Sequence, residues 1–248
     1  ELIYDGPFSD HIEKMEPVFL QDKQLVGADT AKKNVVDWFG VREGEVELAY
    51  ETASKIPAYV FNVGDRTVAV TKNGGYLLQV TSSALSDDVR ISNEDAVRYA
   101  RDFLEKLGIE GMEESYYMLA NGELTVNFAY TQDGVTMYPD LIKVSVSMRD
   151  GAICGYEAFG YMMAHREDRA TQTAISMEEA EKSVSKRLTV TDRGVAVIPT
   201  DGKNEVLCYE FVTETPDERH ILVYVNAQTG VEEMLQILIE TEQGTLTA

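Results

Sequence analysis

Histidine, cysteine and paired carboxylates are the side chains here that could transfer protons, attack a substrate or hold a metal. The three histidines, His11, His165 and His220, stand in polar stretches that read as loops or linkers. A catalytic histidine needs a partner within hydrogen-bond reach, and no local motif supplies one. The HRED stretch, His165 to Asp168, carries donors that a metal accepts, but its place between two larger segments reads as a solvated linker. No C-x-x-C spacing, G-x-S-x-G, H-E-x-x-H, P-loop or dinucleotide fingerprint occurs. With 43 acidic residues, some carboxylates will fall at the separation of about 5–9.5 Å that glycoside hydrolysis uses, so that criterion carries no information. Cys154 and Cys208 lie in the apolar runs GAICGYEAF and NEVLCYEF and read as buried thiols. A disulfide between them is left open, because spacing does not fix its geometry. The expectation is a chain with no catalytic, metal-binding or cofactor-binding residues.

The charge points the same way. Twenty-two basic against 43 acidic residues give a net charge of −21, which repels phosphate backbones and argues against nucleic-acid binding. It suits a basic protein partner or divalent cations, or serves solvation alone. The length fits one large domain or two to three small ones, and no apolar run reaches the roughly 18 residues a spanning helix needs. The chain opens on Glu1 with no basic-then-apolar leader. The expectation is a processed form whose targeting or anchoring segment has been removed.

The elements that must position these residues repeat. VAVTKNGG at Val68, VSVSMRDG at Val144 and VYVNAQTG at Val223 share the form V-x-V-[TSN]-x-x-x-G, ending at Gly75, Gly151 and Gly230 at near-equal intervals. Valines two apart share one strand face. Thr71, Ser147 and Asn226 can bond to the backbone and open a turn, and the glycines supply the left-handed residue that closes it. Upstream of each turn stands a helical stripe. ISNEDAVRYARDFLEKLGI pairs Ser92 with Asp95 as a cap and places Ala96, Val97, Ala100, Phe103, Leu104 and Leu107 on one face, stopped by Gly108. ISMEEAEKSVSKRL repeats this with Ser176, Glu179 and the stripe Met177, Ala180, Val184 and Leu188. DTAKKNVVDWFGV is looser, capped by Asp29 or Thr30 and stopped by Gly40. Strand-like segments fill the intervals, with hairpin signals at Asn121-Gly122 and Asp201-Gly202. The fold class expected is α+β: three tandem units, each one helix packed on an antiparallel sheet of about four strands. Units this small are marginal alone, so the copies are expected to pack on one another.

Tyr156, Phe159, Tyr161, Met162 and Met163 form an aromatic and methionine-rich run that reads either as core or as an adhesive surface, and it is the candidate interface. Tyr116 and Tyr117 admit the same two readings. Gly6-Pro7 opens a lead-in in which Phe8, Ile12, Met15 and Phe19 can pack on the first unit.

A helix followed by an antiparallel sheet ending in V-x-V-N-x-x-T-G resembles the PepSY domain family, best in VYVNAQTGVEE and least in VAVTKNGGYLL. With ELIYDGPFSDHI, YPDLIKVSVSMRDGAICGYEAFGYMMAH and LIETEQGTLTA, the chain resembles the C-terminal region of the YpeB-type spore germination proteins. The resemblance implies a lead-in over residues 1–27 from an N-terminal region, then PepSY-like units over 28–84, 91–168 and 174–248. It also implies a non-enzymatic regulatory role at the spore cortex, outside the inner membrane, stabilising, localising or inhibiting a cortex-lytic enzyme of SleB type. The longer protein would carry an N-terminal membrane anchor. The alternative it implies is inhibition of a secreted or spore protease. Carbohydrate binding ranks lower, since Trp38 is the single tryptophan and is expected near the buried side of the first helix.

Overall fold

The computed structural model describes residues 16–83, 86–200, 204–241 and 244–247. Helix α1, Ala28–Phe39, begins at Gly27 without a side-chain cap, so neither Asp29 nor Thr30 plays that role, and ends at left-handed Gly40. Four antiparallel strands follow: β1 (Val46–Thr52), β2 (Ala58–Val63), β3 (Arg66–Thr71) and β4 (Leu77–Ser82). Helix α2, Asn93–Lys106, is capped by Ser92, whose side chain accepts from the Asp95 amide. It leads into β5 (Met112–Ala120), β6 (Glu123–Gln132), β7 (Val135–Ser147) and β8 (Ile153–Glu157). Asn121 and Gly122 join β5 to β6 with φ of 52° and 73°, the left-handed pair a two-residue hairpin requires.

The short helix α3, Phe159–Ala164, precedes α4, Met177–Glu181, and strands β9 (Thr189–Pro199), β10 (Glu205–Glu214), β11 (His220–Asn226), β12 (Glu232–Thr241) and β13 (Gly244–Thr247). The helix expected over ISMEEAEKSVSKRL stops after five residues. Its cap forms as read, with Ser176 accepting from the Glu179 amide, and Ala180 and Val184 still pack onto Tyr209, Phe211, Val223 and Val225. The apolar face is used, but turns continue it. Asp201-Gly202 lies outside the described residues.

The class is α+β with few helices, and the strands join one 13-stranded sheet in the order β1-β2-β3-β4-β8-β7-β6-β5-β13-β12-β11-β10-β9. The strand groups do not stack face on helix. They share edges, β4 beside β8 and β13 beside β5. Strand β9 also pairs in parallel with β7 at Thr136 and Met137, so β5–β7 and β9–β13 form a closed circuit. Period-two alternation sends Val126, Phe128, Val144 and Tyr156 toward the helices, into one core with Ala100, Phe103, Leu104, Phe61 and Val68. The opposite face of the later strands buries Cys208, Leu222, Tyr224 and Ile198 against Tyr138.

The three glycine turns share one hydrogen-bond pattern. Thr71, Ser147 and Asn226 donate their amides to Tyr76, Ala152 and Val231, the residue after each glycine. The carbonyls of Lys72, Met148 and Ala227 then accept from Val26, Ile91 and Ile175, just before the helices. Gly75, Gly151 and Gly230 have φ of 70°, 76° and 74°. A Cβ on Gly151 would also stand 2.7 Å from the Tyr99 ring.

Leu104 is 2 % exposed in the α2–sheet core. Leu104→Ala is expected to lower unfolding free energy by about 2–5 kcal/mol, read as a lower urea midpoint.

Candidate functional site

The side chains best suited to chemistry converge where β7 leaves its partner. Register against β6 jumps from Ala129↔Leu141 to Tyr130↔Met137, which puts Tyr138, Pro139 and Asp140 outside the ladder. Proline has no amide to give a ladder and is tolerated at such an irregularity. Asp140 is fully buried. Arg169 grips it with a fork, Nη1 2.9 Å from Oδ2 and Nη2 2.7 Å from Oδ1. The same guanidinium reaches Glu205 through Nε at 2.8 Å and Nη2 at 3.0 Å, and donates to the Ala164 and Arg166 carbonyls. Arg166 adds a bond to Glu205 Oε2 at 2.9 Å. Burial opposes the charge on Arg169, but the hydrogen bonds and charges of Glu205 and Asp140 outweigh it and hold the guanidinium above its ordinary pKa.

His165 Nδ1 lies 2.8 Å from Asp140 Oδ2. This corrects the expected loop histidine: His165 is 6 % exposed. Its ring stacks on Tyr161 at 4.1 Å and meets Tyr130 and Phe19 edge-on at 4.6 and 5.4 Å. Within HRED, Arg166, Glu167 and Asp168 are exposed, as a solvated linker would be, and only His165 is buried; the next residue, Arg169, is buried as well. The reason is tertiary, since the rings that cover His165 come from three separate segments. A His–Asp pair can serve as a general base, but this one is buried among three aromatic rings and both its carboxylate oxygens accept from Arg169. It is a buried salt-bridge network, in which loss of one partner strands a charge.

The same β7 excursion makes a second tie. The Tyr138 hydroxyl donates to Glu210 Oε2 at 2.8 Å, and Tyr224 stands opposite Glu210 across the β10–β11 ladder. Burial raises the Glu210 pKa, opposed by its hydrogen bonds to the two tyrosines. The folded state therefore retains a proton that the unfolded chain has released. This contribution is complete below the ordinary carboxylate pKa and is lost as pH rises through the raised one.

The remaining sequence candidates are placed as follows. Thr71 Oγ1 accepts from the Tyr76 amide at 2.9 Å, and Asn226 Oδ1 accepts from Gln228 and Thr229. Ser147 holds the corresponding place beside Gly151. Tyr156, Tyr161, Met162 and Met163 are buried and Phe159 half-buried. Their role is core packing, because α3 is folded under the sheet beside Phe19. Phe19 also packs on Tyr76, while His11, Phe8, Ile12 and Met15 lie outside the described residues. Cys154 and Cys208 are separate buried thiols; burial raises both, Cys208 to about 12. His220 is half-buried opposite Glu214. Sequence reasoning missed Asp140, Arg169, Glu205 and Glu210. The one available signal was a charged residue, Asp140, beside a proline inside an otherwise apolar strand.

Among the described residues β1 pairs only with β2, and it carries Leu48 and Tyr50 exposed, with Glu47 and Glu51 along it and Glu43 just before it. Among the described residues no helix is long and apolar enough to cross a membrane.

Helices on one face of a twisted antiparallel sheet, with repeated glycine hairpins, define the class. Residues 174–233 match the model for PepSY, the "Peptidase propeptide and YPEB domain". Residues 1–172 match "YpeB sporulation, PepSY1 and PepSY2 domains", and the chain belongs to the YpeB sporulation family. It is similar to the sporulation protein YpeB of Halalkalibacterium halodurans, with 28 % identity over 240 residues covering 94 % of this chain and 53 % of that protein. The Bacillus subtilis sporulation protein YpeB is 30 % identical over 70 % of this chain and 39 % of its own length. The chain thus spans about half or less of these relatives. The solved Bacillus megaterium YpeB C-terminal domain superposes with a TM-score of 0.76 at 26 % identity, over 88 % of this chain and all of that one.

Arg169→Met leaves Asp140 without its guanidinium and Glu205 with Arg166 alone, and is expected to cost about 3–5 kcal/mol in denaturant unfolding. The double variant with Asp140→Asn should lose less than the sum of the single losses. Glu210→Gln removes the raised carboxyl. As pH falls from neutral to below the ordinary carboxylate range, the wild-type melting midpoint should gain on that of Glu210→Gln, and a constant difference would contradict the assignment.

Proposed function

We propose that the chain is a non-catalytic regulatory module of spore germination, built of three tandem PepSY-like units over 28–84, 91–168 and 174–248. It holds a cortex-lytic enzyme of SleB type, at the cortex side of the inner spore membrane. The matched turn hydrogen bonds at Thr71, Ser147 and Asn226 support the tandem reading. Its third unit departs from the pattern through a shortened helix and the added strand β13.

The observation that carries partner binding is the free edge of β1. The other groups of strands spend their edges on one another, whereas among the described residues β1 has no second neighbour and carries Leu48 and Tyr50 exposed. An extended partner segment can add there as a further strand, and the glutamates favour a basic one. Mixing the purified chain with a SleB-type enzyme should give a complex or slow cortex hydrolysis. Leu48→Lys with Tyr50→Lys should abolish this without moving the melting midpoint, because both side chains are exposed. No complex and no effect on hydrolysis, with this chain and with the full-length protein, would refute the reading.

A second reading has a specific support. The family description covering residues 174–233 includes peptidase propeptides, and a protease strand could occupy the same edge. Nanomolar inhibition of a secreted protease, with no effect on the cortex-lytic enzyme, would favour it.

A further inference from the structure

Between α1 and α2, on the helix-covered face, lies an open cleft of about 390 Å³ whose lining includes no residue of β1. Trp38 and Phe39 from α1 form one wall, Tyr99 and Phe103 from α2 the other, and Ile153 lies in its lining. Gly151 also lines the cleft. The Tyr99 ring lies where a Cβ on Gly151 would stand, so a larger residue would push it away. The volume suits one large side chain and its neighbour.

Two cations face this apolar space. The Arg66 guanidinium sits 5.0 Å from the Phe39 ring centroid, and Lys106 lines the cleft beside Asp102. Arg66 is half-buried, and among the described residues neither cation has a carboxylate within salt-bridge distance. That is unexpected in a chain with 43 acidic and 22 basic residues. Most other described arginines, including the exposed Arg42, Arg90 and Arg219, have found a carboxylate. A guanidinium placed over an aromatic ring still has N–H donors to offer a planar oxyanion, and carboxylate fits that fork.

We infer that this cleft is a peptide-binding site for a partner segment presenting a large apolar side chain next to a carboxylate. The apolar group enters between Trp38, Tyr99 and Phe103, and the carboxylate accepts from Arg66 and Lys106. The site deepens the reading of the chain as a partner-binding module, but it uses a different surface from β1.

Trp38, the single tryptophan of the chain, reports on the cleft directly. Titration with N-acetyl-Phe-Glu-amide should give a saturable change in Trp38 fluorescence and shift its indole NMR signal, in the millimolar range. N-acetyl-Phe-Gln-amide should bind about tenfold more weakly, the effect expected from loss of a charge-assisted bond. Arg66→Gln should bring the first peptide down to the level of the second, with an unchanged melting midpoint. No saturable change with the glutamate peptide would overturn the proposal, as would equal binding of the two peptides or unaltered binding by Arg66→Gln. The Leu48→Lys, Tyr50→Lys variant should retain peptide binding in the cleft, so failure at the edge and failure at the cleft are read separately.

Discussion

A carboxylate with no access to water, Asp140, is the constraint around which the later two-thirds of the molecule is arranged. Burying a lone charge costs far more than a domain can spare, so Asp140 can occupy the β7 excursion only if Arg169 is folded back onto it. Arg169 in turn needs Glu205, which lies at the start of β10. Satisfying one buried group therefore fixes the path from α3 into the last group of strands. The parallel contact between β7 and β9 and the Tyr138–Glu210 bond lie next to it. Such a network contributes less net stability than its number of bonds implies. Its effect is on register, since any slip of the last strands would separate Arg169 from one of its two carboxylates.

The second organising fact is the use of strand edges. A row of unpaired amides and carbonyls invites association, and here the groups of strands pair with one another through β4–β8 and β5–β13. Among the described residues this continuity leaves β1 as the open edge, while holding the glycine turns in equivalent surroundings. The helices then sit side by side on one face, and the space between α1 and α2 becomes a cleft. Both surfaces suited to a partner thus follow from how the sheet is joined, and neither involves the buried His165–Asp140 pair.

Much of the local design was legible in the sequence. The capping serines, the α2 stripe, the Asn121-Gly122 hairpin and the left-handed glycines are all set by interactions within a few residues. The last helix was overread: Met177, Ala180, Val184 and Leu188 keep their apolar face, but a face can be buried without helical hydrogen bonds to carry it. The aromatic run from Tyr156 to Met163 had two readings that composition could not separate, because interface and core draw on the same residue types.

The sequence alone determined the strand and turn alternation, the starts of the two serine-capped helices and the family, since these rest on periodicities and motifs carried by neighbouring residues. Only the tertiary structure decided that HRED borders a buried anchor, that the strand groups share edges instead of stacking, and that Arg66 lies over Phe39 in a cleft lined by two helices. Those outcomes depend on partners far apart in the chain, such as Asp140 with His165, 25 residues on, and Tyr138 with Glu210, 72 residues on. At that distance charge and polarity along the chain no longer indicate whether a side chain meets water or its counter-ion.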